Sequence, residues 1–552
     1  MIPRQIAQLV LVVWLITCGS VSQAGVNLKN GNFYISYNDC INPNGGEALE
    51  IIRTYNSKAY EVGWFGYGWG SDFETYLVVH PDGVVIHENG TGALTRFTPA
   101  EPAPDQVQFV VDQLVAVARR CGIAESPAEV QGFAERMRGN VELRLAYYRR
   151  FVSDGWIRPM ALPLGTLLHS AIRGQQTVRR VPEGYVRTFQ SGKKERFNLV
   201  GKLVRVAQKN GEFFEISYDS AGHLAEISDF FGNHIKFTCN ADGLVTKLID
   251  AKGNTAEYEY KGQDLVRSRD VAGNVFSYEY DPNHNLTQIS YTDGTTFRIA
   301  YDSVQFVKTI TYRNGDVLEY SYGQDPENPT HHYWTTVDNK SLNGRVRTNR
   351  YEYWIGTRSD GSSYTRRIRN NINGLVTDTV YDEKRSLPLE ITRGNKKTTF
   401  EYNSQGLLTR KETPDGIIEI TYDSVHSKIS EVVNRDTDNT LKKSTSFRYS
   451  KTGDLLHAED NSGLSVDLTY DSEGHIQKMQ SGDQTLLFAY NDVGKPTRIE
   501  MEGVGQIDVQ YDDFGEITKV ESEQGSKISL QVTQAFQRLL NLVKPAGVDL
   551  KF

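Results

Sequence analysis

The chain has 552 residues, of which 38% are hydrophobic and 11% aromatic, with 30 Tyr, 48 Gly and a formal net charge of −8. So small a charge on this length argues against nucleic acid as a general partner. The aromatic content argues against disorder, although the apolar fraction falls below the globular norm of roughly 45–50%. Tyr and Phe suit pleated surfaces and Gly supplies tight turns, so the balance is that of an all-β protein with many turns.

Residues 1–24 read as an export signal. Arg4 supplies the positive charge, and Ile6 to Ile16 is an apolar run of h-region length, too short to span a bilayer. Ser22-Gln23-Ala24 sets small residues before a cleavage point between Ala24 and Gly25. Leu15-Ile16-Thr17-Cys18 offers a second reading, a lipoprotein box that cleaves before Cys18 and acylates it. Either way the expected location is the periplasm, the cell surface or the outside of the cell. Membrane attachment is expected only through a lipid on Cys18, since no later segment is apolar enough to cross. Behind the signal stand Cys40, Cys121 and Cys239. An odd number in an exported chain allows one disulfide and one leftover thiol. A Cys40–Cys121 bridge would staple an N-terminal sheet to a helical segment; three free cysteines are the other reading. No Cys-x-x-Cys suggests a redox or zinc framework.

Residues 25–100 read as an N-terminal β domain, and residues 101–180 break the β pattern. Val107, Val110, Val111, Leu114 and Ala118 form a helical stripe between Pro104 and Arg120. Ser126-Pro127-Ala128-Glu129 is a capping box with Pro at the first helical position, followed by Val130, Phe133 and Met137 at helical spacing. Asn140 caps a third helix to about Val152. Residues 101–181 hold eleven Arg and no Lys against eight acids. This Arg-rich insertion reads either as a docking surface for an acidic partner, a lid over the mouth of a shell, or simply as helices with solvated charged faces.

From about residue 181 to 520 one unit recurs. A Gly is followed by alternating apolar residues and a Tyr seven positions on, as in Gly253 to Tyr260 and Gly463 to Tyr470. Anchors fall at 218, 239, 260, 280, 301 and 322, then 381, 402 and 422, then 449, 470, 490 and 511, with a step of 20 or 21 residues inside each run. A fixed period is a repeat architecture. Each unit is one hairpin, marginal alone, so successive hairpins add strands to one antiparallel sheet that must coil. Leu224/Ile227 and Leu286/Ile289 are three apart, which alternation does not explain and a bulge or strong twist does. The segment 323–380 interrupts the pitch and reads as a degenerate pair of repeats or a longer loop. Its cluster of Tyr333, Trp334, Tyr351, Tyr353 and Trp354 fits sugar binding or packing on a sheet.

The units of the type Tyr218-Asp219-Ser220-Ala221-Gly222-His223-Leu224 resemble the YD repeats of the Rhs family, which includes toxin-complex C subunits and teneurins. Leu49 to Ser57, Gly63 to Trp69 and His80-Pro81-Asp82-Gly83 resemble the domain that precedes Rhs repeats. The resemblance implies a mainly β fold: a long spiral antiparallel sheet forming a full or partial hollow shell, interrupted here by a three-helix insertion. In many relatives such a shell holds a C-terminal toxin released near an Asp-Pro-x-Gly-Leu motif. Asp281-Pro282-Asn283-His284 and Asp325-Pro326-Glu327-Asn328 do not continue that way, and 41 residues follow Tyr511, so self-cleavage is not carried over. Residues 521–552 read as a capping segment, with Ile528 to Val543 a terminal amphipathic helix.

Signatures of chemistry are sparse. There is no Gly-x-Ser-x-Gly and no phosphate loop. His331 and His332 would point to opposite faces of a strand, and Glu257/Glu259 and Asp512/Asp513 fall on the wet face or in turns. No catalytic, cofactor-binding or metal residue is expected. The expected function is a non-enzymatic exported scaffold that encloses or docks a protein cargo. A surface carbohydrate-binding or adhesion protein with a cell-surface glycan as ligand is the alternative, and a cryptic hydrolase or toxin-system remnant the second.

Overall fold

The computed structural model describes residues 24–42, 48–80, 83–99, 104–158, 161–170, 174–209, 211–451, 453–471, 475–491, 496–511, 517–522 and 525–543. The export signal and Cys18 lie outside them, as do Asp512 and Asp513. Ala24 and Gly25 open the first strand, paired with Ile35 and Tyr34.

The N-terminal part is three small sheets. Strands β1 (Ala24–Asn27), β2 (Asn32–Asn42), β3 (Leu49–Asn56) and β6 (Trp69–Ser71) form the first; β4 (Val62–Gly63) and β5 (Gly66–Tyr67) the second; β7 (Tyr76–His80), β8 (Gly83–His87) and β9 (Leu94–Phe97) the third. Helices α1 (Pro104–Arg120), α2 (Pro127–Gly139) and α3 (Val141–Ser153) follow. Ser126 caps α2 in a reciprocal box with Glu129, and Asn140 caps α3 by accepting from the Leu143 amide. The three helices share their own core around Val110, Leu114, Phe133, Met137 and Phe151.

One antiparallel sheet of 33 strands takes up the rest, from β10 (Leu167–Ser170) to β42 (Ile517–Glu521), each strand bonded to its sequence neighbours and the sheet not closed into a barrel. The helical insertion is therefore shorter than the expected 101–180. Leu168 faces Val178 across the first pair with both buried, so the alternation of the shell begins about fourteen residues before 181. The interrupted segment 323–380 is sheet throughout, with strands of up to 12 residues in place of a long loop.

The repeat has a definite physical unit. In the hairpin of β15 (Phe213–Tyr218) and β16 (Leu224–Asp229), Ser217 faces Glu226 but Tyr218 faces Leu224, so Ala225 bulges. The same shift precedes Cys239, Tyr260, Tyr280, Tyr301, Tyr402, Tyr422, Tyr449, Tyr470 and Tyr490. It lets Leu224 and Ile227, three apart, both face the core. Between hairpins the pairing is shorter. β16 and β17 (His234–Cys239) share only Glu226–Lys236, Ile227–Ile235 and Ser228–His234 before they splay. The anchor side chain fills the splay. Tyr218 Oη donates to Leu203 O at 2.9 Å, Tyr260 to Val245 O at 2.6 Å and Tyr470 to Leu455 O at 2.8 Å. Cys239, in the Tyr slot, turns its thiol to Leu224 O at 3.5 Å. The Asp after the Tyr builds the turn: Asp219 Oδ1 accepts from the Ala221 and His223 amides, and Gly222 completes it at φ +85°. Bulged hairpins alternating with splayed seams coil the sheet. Gln175 Nε2 reaches Gln405 O and Lys209 Nζ reaches Asp454 Oδ1, so the sheet returns alongside itself after 230–245 residues.

The inner face is covered twice. The N-terminal sheets share one core with the strands from Leu168 to Val337. A terminal helix α4 (Ser526–Val543) sets Val532, Leu539 and Leu542 into a second core with Ile420, Val432, Leu468 and Ile507.

Candidate functional site

The N-terminal domain is held inside the sheet by a buried polar knot. Asp39 and Arg53 stand on the apolar phase of β2 and β3, beside Tyr37 and Tyr55. Arg53 Nε meets Asp39 Oδ2 at 2.8 Å, with both side chains almost wholly excluded from solvent. The shell closes around them: Arg53 Nη2 donates to Ser268 Oγ and Tyr278 Oη, each at 3.1 Å, and Tyr258 Oη donates to Asp39 Oδ2 at 2.9 Å. Among the described residues Arg53 Nη1 has no hydrogen-bond acceptor; the guanidinium lies instead 4.4 Å from the centre of Trp69 and 5.1 Å from that of Tyr37. Trp69 Nε1 donates to Tyr280 Oη, and Tyr55 Oη donates to His284 O. At two of the repeat turns the domain touches, Gly is replaced: His284 (φ 63°) and Gln305 (φ 62°) hold the left-handed position. His284 bonds Asp264 and packs on Tyr67, while Gln305 O accepts from Lys58.

Between the two covered regions the sheet is bare. In the five strands from β28 (Ser363–Ile372) to β32 (Leu408–Thr413) no residue is buried on either face. Register carries the inner face across them from Tyr353 to Ile368, Thr379, Ile391, Thr398 and, two residues on, Phe400. Phe400 faces Lys411, which faces Ile418 at the border of the second core. This strip is half-apolar, and no described element of the chain covers it. The outer face of the same strands is charged and paired. Asp378 binds Arg367 and Arg369, Glu390 binds Lys397 at 2.7 Å, and Glu419 binds Arg410 at 3.2 Å. Hydrogen bonds from Arg367, then Arg369, hold the Asp378 carboxyl below its ordinary range.

The residues singled out in the sequence are scattered. Tyr333, Tyr351 and Tyr353 face inward while Trp334 and Trp354 face outward, because neighbours on a strand alternate. Trp354 is already occupied, stacked by His332 at 4.7 Å and by Arg367 at 4.7 Å. Arg350 lies over Trp334. His332 bonds Asp325 and Glu352, and His331 bonds Thr330 and Thr357. Glu257 faces Arg269 and Glu259 pairs with Arg267 at 2.6 Å, both on the exposed face. The Cys40–Cys121 bridge is not formed: Cys40 is buried in the N-terminal core, Cys121 is exposed behind α1, and all three cysteines are free. Burial and the carboxylates of Asp250 and Asp39 push the Cys40 thiol up to about 12, and burial pushes Cys239 up to about 11, far from thiolate reactivity. The Arg-rich helices are close to neutral in total: between 104 and 158 eight Arg meet seven acids, and the surplus lies at Arg173, Arg179 and Arg180. Among the described residues no group of three or more His, Cys, Asp or Glu is placed to hold a metal ion.

Comparison with known proteins agrees with this architecture. The teneurin YD-shell profile matches residues 188–377 and 416–549, and a domain of unknown function (DUF6531) matches 23–97. A coiled hairpin sheet with an N-terminal domain in its first turn defines a shell-type repeat protein. The chain belongs to the teneurin YD-shell family. A tRNA3(Ser)-specific nuclease WapA of Bacillus spizizenii is 23% identical over 296 residues, 52% of this chain but 12% of that protein. The crystal structure of TcdB2-TccC3-Cdc42 matches at 12% identity and TM-score 0.41, over 68% of this chain and 26% of that one. The Photorhabdus luminescens Tc holotoxin pore matches at 11% identity and TM-score 0.25, over 92% and 34%.

Proposed function

We propose that the chain is a non-enzymatic shell scaffold that acts outside the cytoplasm and holds a polypeptide partner against the bare inner strip. The observation that carries this reading is the run of five strands without a buried residue between two regions whose inner faces are filled. Paired outer charges keep that side in water, whereas Ile368, Ile391 and Phe400 leave half-apolar surface that a docked chain would bury. An extended peptide suits a surface with Thr and Asn between the apolar side chains, since these offer hydrogen bonds to its backbone. The aromatic pair Trp334/Trp354 does not favour the sugar-binding alternative, because Arg and His already occupy the ring faces.

A photo-reactive amino acid at Ile391, with a second at outer-face Lys397 as control, tests the assignment in the producing cell. One stoichiometric polypeptide crosslinked from 391 and not from 397 is the expected result. Equal products from both sites, or none from 391, would remove the inner strip as the docking surface.

A further inference from the structure

The bare strands sort their charges by face. The acids of β28 to β32 are Asp378, Glu390, Glu401 and Glu412. Register sets all of them on the outer face, out of phase with Ile368, Thr379, Ile391 and Phe400. Each is paired there, Glu401 and Glu412 both with Arg410. The inner face holds cations instead. Thr377, two residues from Thr379, faces Arg393 at the end of β30 (Pro388–Arg393), and Arg393 faces Lys396 at the start of β31 (Lys396–Tyr402). Lys411 faces Phe400. Arg393 and Lys396 are exposed and Lys411 is half-buried, and among the described residues none of the three has an ion-pair partner. Two like charges directly opposite cost stability while no anion lies between them. Beyond Lys411 the inner row passes Ile418 and Asn434 to Lys443, which Asp460 neutralises at 3.4 Å. The unmatched positive charge is therefore confined to the strip that nothing in the described chain covers.

We propose, on the reading that a polypeptide docks at the inner strip, that the docked segment is extended and acidic. Its carboxylates meet Lys411 and the Arg393–Lys396 pair, and apolar side chains between them lie on Ile391 and Phe400. Lys396 and Phe400 are on one strand, and Lys411 stands across from Phe400 on the next. At about 3.3 Å per residue and about 4.8 Å between strands, Lys396 and Lys411 are roughly 14 Å apart. An extended peptide covers that distance in about four residues, and its alternate side chains share one face. The matching face is therefore acid, apolar, acid at successive alternate positions. The Arg393 fork suits a planar carboxylate, and the lysines act as point charges. A nucleic acid strand, with one phosphate per about 3.4 Å, would find too few cations here and too much apolar surface.

The test uses the full chain and a fluorescent peptide with Glu and Leu in turn at every second position and Thr between. The same peptide with Gln or Lys in place of Glu, and oligo-deoxythymidylate, are the comparisons. The Glu peptide should bind at least about tenfold more tightly than the Gln peptide, weaken as salt rises, and crosslink to a photo-reactive residue at position 391. R393E/K396E/K411E should reverse the preference, taking up the Lys peptide and losing the Glu peptide, which a merely unfolded variant would not do. The melting temperature of R393E alone should hold or rise, because a carboxylate there faces Lys396. Equal crosslinking of all three peptides at 391 would keep the strip as a docking surface and overturn its acidic partner. No crosslinking of any peptide would overturn both. Tighter binding of the oligonucleotide than of the Glu peptide, or a Glu preference that survives the triple reversal, would also overturn the proposal.

Discussion

The hydroxyl of Tyr260 reaches Val245 O at a seam where the two strands have stopped pairing, so that carbonyl has no ladder partner. Removing the hydroxyl leaves a buried acceptor unsatisfied. Tyr260→Phe should therefore cost about 1–2 kcal/mol, seen as faster amide exchange confined to the strands on either side of the seam. Cys239→Ala should cost less, since a thiol is a weak donor. The anchor and its spacing were legible in the sequence; its acceptor, fifteen residues earlier and across a seam, was not. Arg53 and Asp39 were missed although a signal was present. Each falls on the apolar phase of a strand, where an unpaired charge is not tolerated, and the two lie on neighbouring strands. Arg53→Met alone leaves Asp39 buried among Tyr258 and aromatic rings, and should destabilise the docked domain by about 3–5 kcal/mol. Limited proteolysis of residues 24–97 reads this directly; an unaltered cleavage rate would show that the knot does not hold the domain.

At the scale of elements, the capping boxes and the three-residue spacing told the truth: Ser126 and Asn140 start their helices, and each Leu-x-x-Ile marks a bulge. The start of the shell was misread because Leu167–Val181 is short and Arg-rich. What no pattern revealed is how the helical unit rests on the sheet. Its core is its own, and it touches the β7–β8 hairpin through Tyr148, edge-on to His80 at 5.7 Å. It also touches the turn at Asp360, whose carbonyl accepts from the Val141 amide. His80 and His87 are buried; among the described residues neither nitrogen of His80 has a hydrogen-bond partner, and His87 uses only Nδ1, toward Tyr76 Oη. Among the described residues the other charged groups acting on them are Arg149 and its partner Glu61, with Glu74 beyond Tyr76. Burial, with Arg149 adding to it, lowers His80 to about 4 and His87 to about 3. An unfolded or detached state binds these protons near 6.5, so it holds more protons than the docked state between about 6.5 and 4. Docking is thus fully stable above 6.5 and weakens as pH falls, by up to about 1.4 kcal/mol per unit for each histidine. Hydrogen exchange at pH 7 and 5 should show α3 and the β7–β8 hairpin loosening together. His80→Phe should remove much of that dependence, and a variant that keeps the full pH response would exclude the imidazole as its source.

Over the whole molecule, one hydrogen-bonded sheet carries two separate cores. The first spans the N-terminal sheets and strands up to Val337; the second runs from Ile420 to Leu542. In a repeat array each unit is stabilised by its neighbours and by whatever covers it, so a bare stretch is the weak link in cooperativity. The strands from Ser363 to Thr413 bury no residue: beyond backbone pairing they have surface ion pairs, which contribute little, and scattered contacts such as Tyr402 Oη to Pro388 O and Arg367 over Trp354. Their repeat pitch was legible and their exposure was not, because the same alternation serves a covered face and a bare one. The expected consequence is two thermal transitions. Leu539, fully buried between α4 and the sheet, belongs to the second core alone. Leu539→Asp buries a charge there and should lower the C-terminal transition by many degrees while leaving the N-terminal one in place. Calorimetry with exchange mass spectrometry at intermediate temperature assigns each transition to its strands. A single transition that Leu539→Asp shifts as a whole would mean that the loops linking successive turns, Lys209 to Asp454 and Gln175 to Gln405, couple the two cores more strongly than the bare strip divides them.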